Sequence, residues 1–329
     1  MDAHSKHVAD LLPFDDAKTD PSNDSPDADK GLEAVLRWFQ DQADMADRFG
    51  AALRQSIDEV LDGQRTRRFD IDSLEKTEKT YLGTKVEIVA RAEFDLGYGG
   101  SMDYRVASQE VDAKFTSGTK STNWTIPGEA MGHLCLLMAA DEHQSAFKVG
   151  LVRISEGNLN SGKNKDGKRT LSTAGRNAIR WLVPHGKLPQ KLLLSVSEGD
   201  RHAIFHASDA YRGSGNGGQL RTDMLFRRVL GRLVDRDTVL TVASQDDGPK
   251  RVRDARQKLH GEGIVILGHL TRHLDIARGL QLPVPAKGAY VSARLARLHD
   301  GDPRPSVLIG GIRYVLHRDG DIAEAPAEY

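Results

Sequence analysis

The hydrophobic period of this chain changes at one place, and that change decides the fold class. Up to Phe94, apolar residues recur at helical spacing: Leu32, Val35, Leu36 and Phe39, then Leu53, Ile57, Val60 and Leu61, then Leu82, Val86, Val89 and Ala90. Gly97, Gly99 and Gly100 interrupt the chain. From residue 101 to 115 apolar and polar positions alternate, as on a half-buried strand. Helices over 31–61 and 73–94 followed by a strand imply an α/β layer, because each element needs the other to cover its apolar face. Residues 148–154 (KVGLVRI) read as a buried strand, 155–168 as a polar surface loop and 173–182 as a helix.

The 329 residues suggest two domains, and Val-Pro-His-Gly at 183–186 marks the expected junction. Beyond it, 192–196 and 202–206 read as strands, and 222–234 as an amphipathic helix capped by Thr222 with Leu225, Val229 and Leu233 inward. The Gly-rich stretch 212–218 lacks the Gly-Lys-Ser/Thr that would make it a phosphate-cradling P-loop. Further strands are expected at 264–267, 289–294, 306–309 and 312–316, and no internal repeat is found. The expected division is an acidic flexible tail at 1–30, a first domain at 31–183, a linker at 184–190 and a second, mainly helical domain at 191–329.

Charge separates the two halves. Residues 1–183 carry 24 Lys+Arg against 30 Asp+Glu, a balance of −6, and residues 184–329 carry 22 against 17, a balance of +5. A basic second half suits a polyanionic partner. Much of the acidity is local, since residues 1–30 hold eight Asp against three Lys, with Pro13, Pro21 and Pro26 among them. No apolar run approaches the roughly 20 residues of a membrane span, and no signal peptide opens the chain. A single cysteine, Cys135, lies in the apolar stretch 131–140 and reads as core. With no internal disulfide possible, a reducing cytoplasm is expected. The His residues show no zinc-ligand spacing with Cys partners.

The chemistry-bearing motif is Asp112-Ala113-Lys114, with Asp103 nine residues earlier. The acid-any-Lys triplet also occurs at Asp16–Lys18 and Asp166–Lys168, so placement must decide. Asp16 falls in the acidic tail and Asp166 in the polar loop, where nothing would hold them rigidly. Asp112 lies in the alternating segment, where Val111, Ala113 and Phe115 face the core while Glu110, Asp112 and Lys114 share the opposite face. Phosphodiester hydrolysis calls for a hard cation on one or two carboxylates, which Asp103 and Asp112 supply with the Ala113 carbonyl, and for a nearby cation such as Lys114. Glu87, on the upstream helix, is a further metal or water partner. Spacing alone leaves a solvated strand face as the equal alternative. In the polar stretch that follows, Lys120 and Asn123 are candidate DNA contacts, against an ordinary surface loop with a packed Trp124.

In the second half, the apolar segment 237–243, the turn 244–248 and the helix 249–259 have helix-turn-helix proportions. Val252, Ala255 and Leu259 would face inward. Lys250, Arg251, Arg253, Arg256, Gln257 and Lys258 would lie outward or at the border, as on a helix that reads base edges and grips phosphates. A solvated basic face is the alternative.

The stretches 75–87 (EKTEKTYLGTKVE), 101–104 (SMDY) and 110–114 (EVDAK) resemble the NaeI family of restriction endonucleases. More distantly they are similar to the MutH mismatch-repair nicking enzymes, which share a helix with a Leu-Gly…Glu pattern ahead of an acid-any-Lys strand. The resemblance implies a PD-(D/E)xK endonuclease domain with Glu87, Asp103, Asp112 and Lys114 as catalytic residues, the three acids also holding Mg²⁺. Met102 stands where the nominal motif has Pro. The resemblance further implies a C-terminal winged-helix domain like that of the catabolite activator protein, and a homodimer that engages substrate and effector copies of double-stranded DNA. It also implies GCCGGC as the target within a restriction-modification system. Two rivals remain, a helix-turn-helix regulator with an inert nuclease-like fold and a MutH-like nicking enzyme.

Overall fold

A computed structural model of the chain describes residues 29–118, 123–213 and 215–329. The expected tail at 1–30 lies outside these residues except for its last two, and Asp29 proves structural. Its carboxylate accepts from the Leu32 N–H at 3.0 Å, capping the first helix, and pairs with Arg153 at 2.6 Å.

The first region opens with α1 (Lys30–Gln40), α2 (Met45–Leu61), α3 (Gly63–Thr66) and α4 (Lys76–Phe94). The continuous helix expected over 31–61 is therefore broken, because Asp44 takes a left-handed φ of 51° between α1 and α2, a conformation Asp tolerates better than most residues. The break folds α1 back so that Phe39, Phe49 and Phe94 meet, with ring centroids 4.4–5.6 Å apart. Each such pair adds about 1 kcal/mol beyond the area it buries.

Of these, α1, α2 and α4 cover one face of a sheet built from β1 (Gly97–Tyr98), β2 (Tyr104–Val106), β3 (Gln109–Ser117), β5 (Leu134–Asp141), β6 (Ala146–Arg153) and β8 (Arg180–Lys187), in the order β1-β2-β3-β5-β6-β8. Outside it, β4 (Thr125–Ile126) pairs with β7 (Arg169–Thr170). β3 and β5 run parallel while the other neighbours are antiparallel. Leu134, Leu136 and Met138 of β5 join Val111 and Ala113 under the helices; Cys135, Leu137 and Ala139 pack on the far face with Trp124 and Ile126. β5 is thus buried on both sides, which is why it reads as an unbroken apolar run.

Two expectations fail near the end of this region. The helix over 173–182 stops as the short α5 (Thr173–Asn177), and the junction at 183–186 lies inside β8, where Val183 pairs with Val149 and Gly186 with Phe147. The sheet region therefore runs past 183. Pro184 is admitted because β8 is the last strand in the order, where a missing N–H is harmless. Gly186 is a packing glycine rather than a hinge, since a Cβ there would come within 2.3 Å of the Phe147 ring.

The second region contains α6 (Leu192–Ser195), α7 (Glu198–His206), α8 (Gly218–Arg228), α9 (Arg236–Ala243), α10 (Gly248–His260) and α11 (Thr271–Gly279). Its sheet has the order β10-β11-β13-β12, from β10 (Ile264–Leu267), β11 (Tyr290–Arg297), β12 (Ser306–Ile309) and β13 (Ile312–Leu316), with β9 (Leu233–Val234) also on β11. The strands expected at 192–196 and 202–206 are helices. Ser197 caps α7 by accepting from the Asp200 N–H at 3.1 Å, and Glu198 and Asp200 fill the first turn. The helix expected at 222–234 starts four residues earlier and ends six earlier, so Thr222 is buried inside α8 and its hydroxyl donates to the Gly218 carbonyl at 2.8 Å. Leu233 belongs to β9 and is exposed. The later strands stand close to their expected places. Among the described residues no helix is long and apolar enough to cross a membrane.

Candidate active site

β3 carries the site because its alternation separates two environments. Val111 and Ala113 enter the core under α4, which leaves Asp112 and Lys114 on the other face. The Lys114 ammonium lies 2.6 Å from Asp112 Oδ2 and donates at 2.9 Å to the carbonyl of Ala113. Asp103, one residue ahead of β2, turns its Oδ2 onto the Ala113 N–H at 2.7 Å. The two carboxylates therefore close on the same point of β3 from adjacent chain segments.

Asp112 is only 5% exposed. Burial pushes its carboxyl up to about 6, against the pull of Lys114 and with the neighbouring Asp103 adding to the rise. Beneath it, across the parallel register, the Cys135 thiol lies 3.5 Å from Asp112 Oδ2. Glu87, on α4, accepts from Arg91 one turn later at 2.9 Å, and Arg91 also donates to the Asp103 carbonyl at 3.2 Å. The Arg91 guanidinium stands over the rings of Tyr98 and Tyr104, and the Tyr104 hydroxyl donates to the Glu87 carbonyl at 2.9 Å. Burial and the Asp103 charge raise the Glu87 pKa, with Arg91 opposing. Sequence reasoning missed Arg91, although its i,i+4 spacing from Glu87 on a helix was a usable signal.

Asp103 and Lys114 thus lie within charge range of both Glu87 and Asp112. Among the described residues, three ligand atoms of His, Cys, Asp or Glu come within 4.8 Å of one another at Asp70, Asp72 and His143, and the Glu87–Asp103–Asp112 group is not drawn that close. The oxygens best placed for a cation are those of Asp112, Asp103 and the Ala113 carbonyl. Lys114 already puts a positive charge on two of them. Of the downstream candidates, Lys120 lies outside the described residues and Asn123 is exposed. Trp124 is buried and donates from Nε1 to the Met138 carbonyl at 2.9 Å, as the packed-Trp alternative expects.

In the second region, α9 and α10 are joined by a tight turn in which Ser244 takes a φ of 52°. Asp235 and Asp247 cap the two helices, accepting from Thr238 N–H at 2.6 Å and Lys250 N–H at 3.0 Å. The segment expected as merely apolar over 237–243 is thus the first helix of the pair. Val252, Ala255 and Leu259 are buried as expected. Lys250, Arg253, Gln257 and Lys258 are exposed, while Arg251 and Arg256 are half-buried. Arg256 is occupied in the fold, its Nε donating to the Ile266 carbonyl at 2.6 Å, and Lys258 lies 3.4 Å from Asp223.

Comparison with known proteins gives two findings. The family description "Restriction endonuclease NaeI" matches residues 33–325. The chain is 43% identical over 303 residues to the type II restriction enzyme NaeI of Lentzea aerocolonigenes, a match covering 91% of this chain and 94% of that enzyme.

Proposed function

Since the chain belongs to the NaeI family of restriction endonucleases, we propose that it cuts both strands of DNA at a specific sequence, with Glu87, Asp103, Asp112 and Lys114 as the PD-(D/E)xK site. It is a type II site-specific deoxyribonuclease on the strength of that membership. The observation that supports this reading is the cluster on β3, where Lys114 bonds Asp112 and the Ala113 carbonyl and Asp103 docks on the Ala113 N–H.

That donor set suits Mg²⁺, which prefers one or two carboxylates and keeps the rest of its shell for water and phosphate oxygens. The position of the Lys114 ammonium, on the oxygens a hard cation would take, supports the fit. When bound there, Mg²⁺ would offset charge on the scissile phosphate and make an attacking water more acidic. Asp103 and Asp112, with the Ala113 carbonyl, would hold the cation. With the cation on Asp112, Lys114 would be free to offer its ammonium to phosphate oxygens as negative charge grows on them. Glu87, whose carboxyl burial holds above its usual range, would be a further partner of the cation or of the attacking water.

The second region is read as a winged-helix domain that holds an effector copy of DNA, with α10 in the major groove and strands β12 and β13 as the wing. The charge balance of +5 over 184–329 supports it. A homodimer, GCCGGC as the target and activation by the second DNA copy complete the reading. Plasmid cleavage tests it. Linear fragments that require Mg²⁺, vanish with EDTA and increase with a short GCCGGC duplex are expected. Nicked circles alone would favour a nicking enzyme, and uncut but retarded plasmid would favour a regulator.

The geometry of α10 sorts its basic residues into two groups. Lys250→Ala and Arg253→Ala are expected to weaken effector binding and to flatten log K against log salt by about one unit for each phosphate no longer neutralised. Arg256→Ala is expected to lower stability by about 2 kcal/mol instead, through loss of a charged hydrogen bond to the Ile266 carbonyl. Salt titrations and thermal melts of the three variants separate the groups, and equal salt slopes throughout would remove α10 from the interface.

A further inference from the structure

We propose that Glu110 is a positioning residue for cleavage: its carboxylate grips the loop ahead of Asp103 and so sets where the Asp103 side chain meets Asp112 and Lys114. The proposal rests on the site reading above and extends it to a residue that touches neither cation nor phosphate.

Glu110 shares the strand face of Asp112, two residues away, yet its carboxylate is already occupied. Oε2 accepts from the backbone N–H groups of Gly100, Ser101 and Met102 at 2.9, 3.0 and 3.0 Å, and Oε1 accepts from Gly100 N–H at 3.0 Å. Arg105, directly across the β2–β3 register, closes over Oε1 at 3.0 Å. Three successive N–H groups converging on one charged acceptor form strong, charge-assisted bonds. The loop they fix is tight: a Cβ at Gly99 would meet the Met102 carbonyl oxygen at 2.1 Å, so a glycine is needed there.

The next residue is Asp103, whose carboxylate docks on the Ala113 N–H. Strand β3 therefore anchors both ends of the same segment, at Glu110 and at Ala113. Met102 matters here through its backbone, since a Pro at this position would have no N–H to give. The chain fixes the approach to Asp103 by hydrogen bonds to Glu110 where the nominal motif uses a ring.

Displacing a reacting group by about 1 Å can reduce the rate about 10²-fold. Glu110→Ala is accordingly expected to slow single-turnover cleavage about 10²-fold and to need more Mg²⁺ for half-maximal rate. Glu110→Gln is expected to recover most of the rate, because its amide oxygen can still accept from the three N–H groups. A second readout is independent of cleavage. Amide hydrogen exchange in the metal-free protein is expected to quicken over residues 100–102 in Glu110→Ala and to stay slow in Glu110→Gln. Wild-type exchange and cleavage in Glu110→Ala would overturn the proposal. Glu110→Gln as slow as Glu110→Ala, with its loop still protected, would also overturn it by assigning the charge a direct role. If wild-type protein cuts no DNA, the site reading fails, and the exchange result still decides whether Glu110 holds the loop.

Discussion

Lys114→Ala is expected to reduce DNA cleavage about 10²- to 10³-fold while leaving DNA binding intact, the loss typical of removing one preorganised group that stabilises transition-state charge. The side chain serves two states. In the structure its ammonium neutralises Asp112, a carboxylate only 5% exposed whose pKa is already raised to about 6 by burial. On the proposed reading of the site it would also stabilise the negative charge that develops during cleavage. Without it, Asp112 keeps its burial and loses its counterion, so its charged form, the one that holds a cation, becomes harder to maintain. Asp112→Asn is expected to lose as much, because an amide oxygen is a poor substitute for a carboxylate toward Mg²⁺. The double variant should be hardly slower than either single one, since groups that act as a unit are not additive. Single-turnover rates on a plasmid, beside gel shifts in EDTA, measure both halves of the expectation. Wild-type cleavage by either single variant would remove that residue from the site.

Several parts of this arrangement are legible in the sequence for a physical reason. The switch from helical spacing to alternation at Gly97–Gly100 reports burial on one face of α4 and then of β3, and the same alternation places Asp112 and Lys114 together. Inward Val252, Ala255 and Leu259 follow from the same logic on α10. What the sequence does not carry is closure. The β2–β3 hairpin turns through Ala107 and Ser108, both at positive φ (47° and 62°), with none of the Asn-Gly or Asp-Gly chemistry that normally announces such a turn. Asp103 is brought to Ala113 by that turn and by Glu110, neither of which spacing reveals. The short apolar runs at 192–196 and 202–206 suit either element on periodicity, and the cap at Ser197 tips the second to helix. The Val-Pro-His-Gly segment carries the composition of a linker and is an edge strand, because Pro is as acceptable at a sheet edge as in a loop.

The second large effect is expected where the two regions meet, beyond the misplaced junction. Lys191 is 3% exposed at its side chain and lies 2.7 Å from Asp58 of α2 and 2.8 Å from Asp237 of α9. Asp58 in turn pairs with Arg54 at 2.8 Å, and Arg54 with the buried Glu142 at 2.6 Å. Alternating charges thus run from the end of β5 through α2 to α9. A cleft of about 840 Å³ adjoins them, lined by Arg54, Asp58, Lys191 and Asp237 and by none of Glu87, Asp103, Asp112 or Lys114. Burial works to lower the Lys191 pKa, and the two carboxylates outweigh it, so the ammonium stays charged. Lys191→Ala would leave Asp58 and Asp237 facing each other beside a void. Breaking a buried pair in this way is worth about 3–5 kcal/mol, and the lower end is expected because Asp237 is more than a third exposed and partly screened by water. Lys191→Met fills the volume but not the charge, so it should be nearly as destabilised. Adding Asp237→Asn to Lys191→Met should return part of the loss, since one of the stranded charges is then gone. Because these pairs tie the regions together, the wild type is expected to unfold in one thermal transition and Lys191→Ala in two. A variant that melts as the wild type does would mean that the regions are joined by α3 against α9, where Gly63 packs onto Thr241, and that the charges are incidental to the joint.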